Sequence, residues 1–319
     1  MSRVRLSPAV KRALVAVLVV AVIVFAWLAL HDTWSEVKVS LRTLRITDLV
    51  VAVVAGLVSA WALFRAWRTI LHGLHVDTLA GHDARTMFFC SQLGKYVPGS
   101  VWPAVIQSEI GTRSNVPRSV VLSSYAFALV AGVGVGGVFA VGTLTHPVSG
   151  WMQVAAVGAV VGGLLLCVAF VHPSGSQRLW RRLLRSRVPA GGLPSLDVGV
   201  TARALAWTAL GWAALGLHAW VLARPFGASA SDAVFVAGSF ALAWVAGIAA
   251  LPLPAGAGLR EAVLVVTLGA LIGKPEAISV ALISRLLMIA NDVGLSLAAG
   301  LPRVLRDVRA RRATTDDAG

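Results

Sequence analysis

The sequence predicts an all-α, polytopic transmembrane helix bundle built from two halves. Hydrophobic residues make up 57% of the 319-residue chain, charged residues make up only 13%, and the mean hydropathy is +0.81. A water-soluble domain of this size has no core large enough to bury so much apolar surface. Uncharged stretches of about 20 residues, the length that crosses a bilayer, recur along the chain. This composition therefore requires lipid as the solvent.

Seven apolar stretches are the obvious predicted spans. The first follows four basic residues, but it is long and does not end in a small-x-small cleavage site, so we interpret it as a retained span. The second stretch is short, and the last one carries charges. The set comprises residues 13–30, 49–64, 120–144, 151–171, 204–223, 233–253 and 277–301.

Two further segments are interrupted by proline and glycine. Residues 86–107 contain the run Gly94–Gly99, and residues 251–261 contain two prolines and two glycines. If the first segment enters the membrane and returns on the same side while the second belongs to a crossing, the chain has about eight spans plus one re-entrant segment. Both termini are then cytoplasmic.

The distribution of basic residues supports this topology. With a re-entrant first segment, 19 lysines and arginines lie on the cytoplasmic side and 5 lie outside. A first segment that crossed completely would give 9 inside and 15 outside, or the reverse for an inverted chain. Because cytoplasmic loops carry an excess of Lys and Arg, we expect the re-entrant arrangement in a plasma or inner membrane.

We expect residues 1–302 to form a single integral membrane domain. Its halves are residues 13–171 and 200–302, and the basic cytoplasmic loop 172–199 joins them. Within that loop, Arg178–Arg187 places leucines and a tryptophan on one helical face and arginines on the other, which is typical of a helix on the membrane surface. Residues 303–319 form a cytoplasmic tail, first basic and then acidic.

Charged residues in the predicted spans and interrupted segments are the candidate functional residues. A charge at the bilayer centre costs about 2.5–3.5 kcal/mol even on lenient scales, so such residues usually serve a function. Arg285 and Asp292 are seven positions apart and share one face of the last span, which we expect to point into the bundle. The other candidates lie in or next to the interrupted segments: Lys95, Glu109, Arg260 and Glu261.

Each interruption predicts an anion site. A break within the membrane exposes backbone N–H groups and the positive end of a half-helix, both of which favour a phosphate. Lys95 beside the first break and Arg260 beside the second would each add a full positive charge. Interrupted segments in each of two halves are a recognised sign of a transport site between the halves. The predicted ligand is therefore an anionic lipid rather than nucleic acid, despite the net charge of +14.

The two interrupted segments also resemble the signature segments of a known family. The runs Gly94–Trp102 and Pro254–Glu261 are similar to those of the flippase-like membrane domain of lysylphosphatidylglycerol synthases and their stand-alone relatives. The resemblance implies a bacterial membrane protein that moves an aminoacyl-phospholipid or a polyprenyl-phosphate-linked sugar. The residues that carry over from the family are Lys95, Pro98, Gly99, Gly256, Gly258, Arg260 and Glu261. We expect the substrate-binding residues to be Lys95, Tyr96, Pro98, Gly99, Gly256, Gly258 and Arg260. Because the chain ends in the short tail 303–319, we expect a stand-alone member without the synthases' soluble aminoacyltransferase domain.

The favoured hypothesis is a non-enzymatic lipid flippase without a cofactor or metal. Its energy would come from an ion or lipid gradient, with Glu261 or Asp292 as candidate proton-coupling groups, because the sequence has no ATP-binding motif. The first alternative is a lipid-phosphate transferase in which Lys95 and Arg260 hold a phosphate and Glu109, Glu261 or Asp292 acts as the base.

The second alternative is an assembly factor for a membrane enzyme, in which Arg285 and Asp292 form a structural pair. A partner glycosyltransferase or lipid-modifying enzyme is compatible with the flippase as well.

The best candidate for a metal site, in the loop after the second span, lacks a recognised zinc spacing. It consists of His72, His75, Asp77, His82 and Asp83.

Overall fold

The computed structural model describes residues 42–77, 79–97, 101–171, 196–249, 256 and 258–316. Within these ranges the chain is helical and contains no strand, which confirms the predicted all-α class. The predicted first span, the surface helix Arg178–Arg187 and nearly all of the connecting loop lie outside the described residues.

The described part of the chain contains nine α-helices. Short 3₁₀ turns extend several of them, at Leu93–Tyr96, Ala140–Thr145, Arg224–Phe226 and Ala230–Asp232. The α-helices are α1 (Ile46–Gly73), α2 (Gly81–Gln92), α3 (Trp102–Arg113), α4 (Arg118–Phe139), α5 (Gly150–Val171), α6 (Val198–Ala223), α7 (Ala233–Ala249), α8 (Leu259–Ile272) and α9 (Lys274–Asp316).

Six helical segments are long and apolar enough to cross a membrane. They contain α1, α4, α5, α6, α7 and the first 27 residues of α9. Each matches one of the predicted spans, so the polytopic bundle is confirmed as a class. The eighth predicted crossing corresponds to α8, whose 14 residues extend about 21 Å and are too short to cross a 30 Å slab alone. Helix α9 continues through the boundary predicted at residue 302.

Acidic side chains bind backbone N–H groups at the starts of two of the spans, α1 and α6. The backbone N–H of Arg45 donates to Asp48 at the start of α1, over 3.3 Å. Asp197 accepts from the Gly199 N–H at 2.7 Å before α6. These carboxylates satisfy N–H groups that have no partner within a helix and complement the positive end of its dipole.

Helices α2 and α3 form an antiparallel hairpin. Gly94, near the end of α2, packs against Pro103 at the start of α3, and Gly111 at the far end of α3 packs against Met87 of α2. Each arm has 12 residues and extends about 18 Å, so neither arm crosses a bilayer by itself. A re-entrant path for residues 86–107 requires a hairpin of this kind, and the side of the membrane on which it begins and ends stays a prediction.

Two sets of contacts hold the hairpin in the bundle. The ring of Phe64 on α1 lies 5.6 Å from Phe88 and 5.3 Å from Phe89 on α2, as centroid distances. On the other side, Thr86 donates to the Ala299 carbonyl of α9 at 2.7 Å. These contacts align α2 with the second half of α9, so the hairpin tip lies beside the middle of that helix.

The second interruption also brings two backbones into close contact. Gly247 near the end of α7 touches Gly256, where a Cβ atom would lie 2.6 Å from the Gly247 Cα. Gly256 (φ +68°) and Gly258 (φ +84°) both adopt the left-handed backbone region that favours glycine. The end of α7 and the residues just before α8 therefore lie in direct backbone contact.

Candidate functional site

The two interrupted segments meet at one cavity. The cavity has a volume of about 320 Å³. Lys95 and Tyr96 at the hairpin tip line it together with Gly256 and Arg260 at the second break, and Arg285 of α9 completes this group. Residues separated by about 160 positions in the chain thus share one site. Both interrupted segments contribute to one cavity wall, and a role for it in binding stays a prediction.

The charged side chains that line the cavity are all basic. They are Lys95, Arg260 and Arg285, and no acidic side chain of the described segments contributes to the wall. Two of these cations pair with carboxylates. Lys95 Nζ lies 2.7 Å from Asp292 Oδ2, and Arg285 pairs with Glu261. The wall therefore presents positive groups, and their counterions do not line the cavity.

The aspartate of the first pair is shared with the hairpin's tyrosine. Tyr96 Oη donates to Asp292 Oδ2 at 2.5 Å, the same oxygen that Lys95 approaches. One carboxylate on α9 therefore holds two consecutive residues of the hairpin tip. Tyr96 is only 3% exposed, so this anchor is shielded from water, where such hydrogen bonds are electrostatically stronger.

Arg260 differs from the other two cations. It is 8% exposed, and its Nη2 atom contacts the Met288 sulfur at 3.1 Å. Its guanidinium carbon lies 4.8 Å from the centre of the Phe240 ring, in a cation–π contact. Across the ranges that the structure describes, Arg260 forms no ion pair with a carboxylate. A buried charge of this kind is costly unless something pairs with it.

The helix ends contribute less than the sequence suggested. At the start of α8, the Gly258 N–H already donates to Glu261 Oε2 at 2.8 Å. In the first turn of α3, Pro103 has no N–H to donate. Each helix start therefore has one backbone donor fewer for a ligand, and the guanidinium of Arg260 is the group best suited to bind an anion.

The remaining predicted residues have different positions. Gly258 lies at the exposed start of α8, and Pro98 and Gly99 lie outside the described residues. Glu109 does not line the cavity, since its carboxylate pairs with Arg113 at 3.1 Å on the exposed end of α3. Arg285 and Asp292 do face the same region, as their spacing predicted, but they pair with Glu261 and Lys95, on other segments.

Sequence analysis missed the neutral polar lining of the cavity. Gln92 and Gln107 come from the two arms of the hairpin, Tyr125 from α4 and Thr208 from α6. A polar side chain in an otherwise apolar helix was a usable signal for Tyr125 and Thr208, whereas the two glutamines lie in helices of mixed polarity, where a polar residue is not a distinctive signal. Trp244 and Met288 also line the cavity, and nothing in their sequence context distinguishes them from ordinary lipid-facing or core residues.

The histidine-rich stretch predicted as a loop includes the end of α1, a short connection and the start of α2, and its side chains form local contacts. His72 Nδ1 lies 3.0 Å from Asp77 Oδ1, and His82 Nε2 lies 3.4 Å from Asp83 Oδ1. Within the described stretches, no group of three or more His, Cys, Asp or Glu side chains is arranged to hold a metal ion.

Comparison with known proteins gives one family. The sequence matches the family described as "Lysylphosphatidylglycerol synthase TM region" over residues 14–291. This match covers most of the chain and includes both interrupted segments. No curated protein matches the sequence.

Proposed function

The chain belongs to the lysylphosphatidylglycerol synthase TM-region family, and from this membership we propose that it moves an anionic, phosphate-bearing lipid between membrane leaflets. The family indicates a lipid-related role in a multi-pass membrane protein. The candidate lipids are an aminoacyl-phospholipid and a polyprenyl-phosphate-linked sugar. The proposed membrane is the bacterial plasma membrane.

The observation that carries the proposal is the state of Arg260. Its guanidinium is buried, lines the cavity and has no carboxylate partner in the described segments. Since Lys95 and Arg285 are balanced by Asp292 and Glu261, the cluster retains one uncompensated positive charge. A phosphodiester carries one negative charge and matches it. Bidentate contacts to phosphate oxygens are the geometry that arginine favours.

The position of the cavity along α9 suits a lipid headgroup in transit. At 1.5 Å per residue, Asp292 lies about 12 Å and Arg285 about 22 Å from Gly300, where the apolar part of α9 ends. We place the hairpin as a re-entrant segment that enters from the cytoplasmic side, with both chain termini on that side. A headgroup in the cavity would then lie near the middle of the bilayer while its tails remain in lipid.

In the proposed cycle, the lipid phosphate pairs with Arg260 and the two halves tilt alternately to open the cavity to each leaflet. The ion pairs Lys95–Asp292 and Arg285–Glu261 link the hairpin and α8 to α9, so they hold the cavity walls together. The cycle makes and breaks no covalent bond in the lipid, so the protein acts as a transporter and not as an enzyme. A glycosyltransferase or lipid-modifying enzyme would supply or consume the lipid.

The decisive test is leaflet exchange in liposomes that contain the purified protein. Fluorescent phosphatidylglycerol and a polyprenyl-phosphate sugar are supplied, and exchange is scored by quenching of the outer leaflet. We expect Arg260→Gln to slow exchange about 10- to 100-fold, the effect of losing a charge-assisted hydrogen bond. Arg260→Lys should retain part of the rate, because it keeps the charge without the planar fork.

The matched control is Arg113→Gln, because Arg113 is exposed and does not line the cavity. This variant should exchange lipid at the wild-type rate. Normal exchange by Arg260→Gln would contradict the role given to Arg260. Formation of a new lipid product without exchange would favour the transferase, and neither exchange nor product would favour the assembly factor.

A further inference from the structure

One polar side chain in the cavity wall has an unmet hydrogen-bonding group. Gln107 on α3 is 1% exposed and lines the cavity. Its Oε1 atom is buried and, among the described residues, no donor lies within hydrogen-bonding distance of it. Buried amide oxygens are nearly always paired in folded proteins, so an orphan beside a cavity points to a partner supplied by a ligand.

The uncharged polar groups and the cations of the cavity wall come from different parts of the structure. Gln92 of α2 and Tyr125 of α4 line it together with Gln107, so the hairpin arms and α4 contribute uncharged polar groups. The cations come from the hairpin tip, α8 and α9. A headgroup with its phosphate at Arg260 would have an uncharged polar part available for Gln107.

An amide oxygen can accept a hydrogen bond from a hydroxyl or from an ammonium group. Lys95 and Arg285 already have carboxylate partners, and no acidic side chain of the described segments lines the cavity to pair with an ammonium group. A hydroxyl is uncharged and needs no such counterion. A neutral donor is therefore the partner that the surroundings of Gln107 favour.

We propose that Gln107 is a specificity-determining residue that selects phosphodiester lipids with a hydroxylated headgroup, such as a glycerol or sugar. This inference rests on the proposed lipid transfer and narrows its substrate class. Arg260 binds the phosphate that all candidate lipids share, and Gln107 distinguishes between headgroups by accepting a hydrogen bond from a hydroxyl.

The test compares two lipids in the same liposome assay. Phosphatidylglycerol and phosphatidylmethanol carry the same single negative charge, but only phosphatidylglycerol has headgroup hydroxyls. We expect the wild-type protein to exchange phosphatidylglycerol roughly 3- to 10-fold faster, the range that one neutral hydrogen bond gives. In Gln107→Leu, which removes the acceptor at similar volume, the ratio of the two rates should fall to about one.

Gln153→Leu is the matched control, because Gln153 lies on the exposed surface of α5 and should retain the wild-type ratio. Equal wild-type rates for the two lipids, or an unchanged ratio in Gln107→Leu, would overturn the selectivity role and leave the proposed function intact. If the wild-type protein exchanges neither lipid nor the polyprenyl-phosphate sugar, the proposed function itself fails. Loss of all exchange in both Gln107→Leu and Gln107→Met would assign Gln107 a structural role and overturn the inference.

Discussion

At the scale of single residues, the site depends on how its three cations are neutralised. Lys95 and Arg285 each have a carboxylate partner, whereas Arg260 has a sulfur atom and an aromatic ring. Sulfur and ring contacts stabilise a guanidinium less than a carboxylate does, so Arg260 keeps more of its charge available. Arginine therefore has two roles in this cluster: Arg285 forms an ion pair within the protein, and Arg260 is left to bind a ligand.

The pair Lys95–Asp292 gives a prediction at this scale. Its side chains are 31% and 11% exposed, so water screens the attraction only in part. In a double-mutant cycle with Lys95→Met and Asp292→Asn, we expect a coupling energy of about 1–3 kcal/mol. The measurement is the free energy of unfolding in mixed micelles for the wild type, both single variants and the double variant.

The exposed pair Arg113–Glu109 serves as the control for this cycle. Its side chains are 51% and 45% exposed, so its coupling energy should be about 0.3–0.5 kcal/mol. If the effects of Lys95→Met and Asp292→Asn simply add, the ion pair does not hold the hairpin tip to α9.

At the scale of helices, both interruptions depend on glycines that allow two backbones to touch. A Cβ atom on Gly94 would lie 2.7 Å from the Pro103 nitrogen, well inside contact distance. Gly256 meets Gly247 in the same way at the second break. Close backbone contact is the reason that the sequence has glycine at these two positions and not another small residue.

The hairpin contact predicts a stability difference between two glycine substitutions. Gly94→Ala forces the arms apart and should cost about 1–3 kcal/mol, with lower leaflet exchange because the cavity wall shifts. Gly158→Ala on α5 meets no atom within 4 Å and should be neutral or slightly stabilising. Thermal unfolding of the detergent-solubilised variants measures the difference. Equal midpoints would mean that the hairpin tolerates separation at its tip.

Two glycine substitutions at the second break distinguish the effect of backbone strain from the effect of steric overlap. Gly256→Ala suffers both, whereas Gly258→Ala suffers strain alone, since nothing lies within 4 Å of the added Cβ. We expect Gly256→Ala to lose about 1–3 kcal/mol more stability than Gly258→Ala. The comparison uses the same thermal assay, and a greater loss in Gly258→Ala would contradict the close contact between α7 and α8.

At the scale of the whole molecule, the proposed topology makes a prediction about which side each loop occupies. In that topology the hairpin returns to its starting side, so Asp77 before α2 and Thr112 at the end of α3 should both face the cytoplasm. Ser149 before α5 and Ser231 before α7 should face the outside. All four residues are exposed.

Single-cysteine labelling tests this arrangement. After replacement of Cys90 and Cys167 by alanine, each of the four positions is changed to cysteine and treated with a membrane-impermeant maleimide in intact cells. Only Ser149→Cys and Ser231→Cys should react before the membrane is opened. Labelling of Asp77→Cys and Thr112→Cys from opposite sides would show that the hairpin crosses the membrane.

Much of the fold was predictable because lipid imposes a simple requirement. A chain in hydrocarbon must satisfy its backbone hydrogen bonds internally, so apolar stretches of sufficient length become helices. The predicted spans that fall within the described residues match α1, α4, α5, α6, α7 and α9. The length of α8 was harder to predict, because the sequence does not show at which residue the Gly/Pro break ends and the helix begins. The end of α9 was also harder to predict, since the helix continues past residue 302, where we expected the tail to begin.

The sequence by itself determined the membrane class, the two interruptions, the family resemblance and the charged residues that these interruptions bring into the membrane domain. Those properties follow from composition and local pattern, which each segment carries on its own. Only the tertiary structure decided which charges pair, because Lys95 and Asp292 lie 197 positions apart and meet through the packing of the hairpin on α9. The packing of α3 also decided which of two residues on this short helix reaches the cavity. Gln107 lies in the cavity wall, whereas Glu109 pairs with Arg113 away from it.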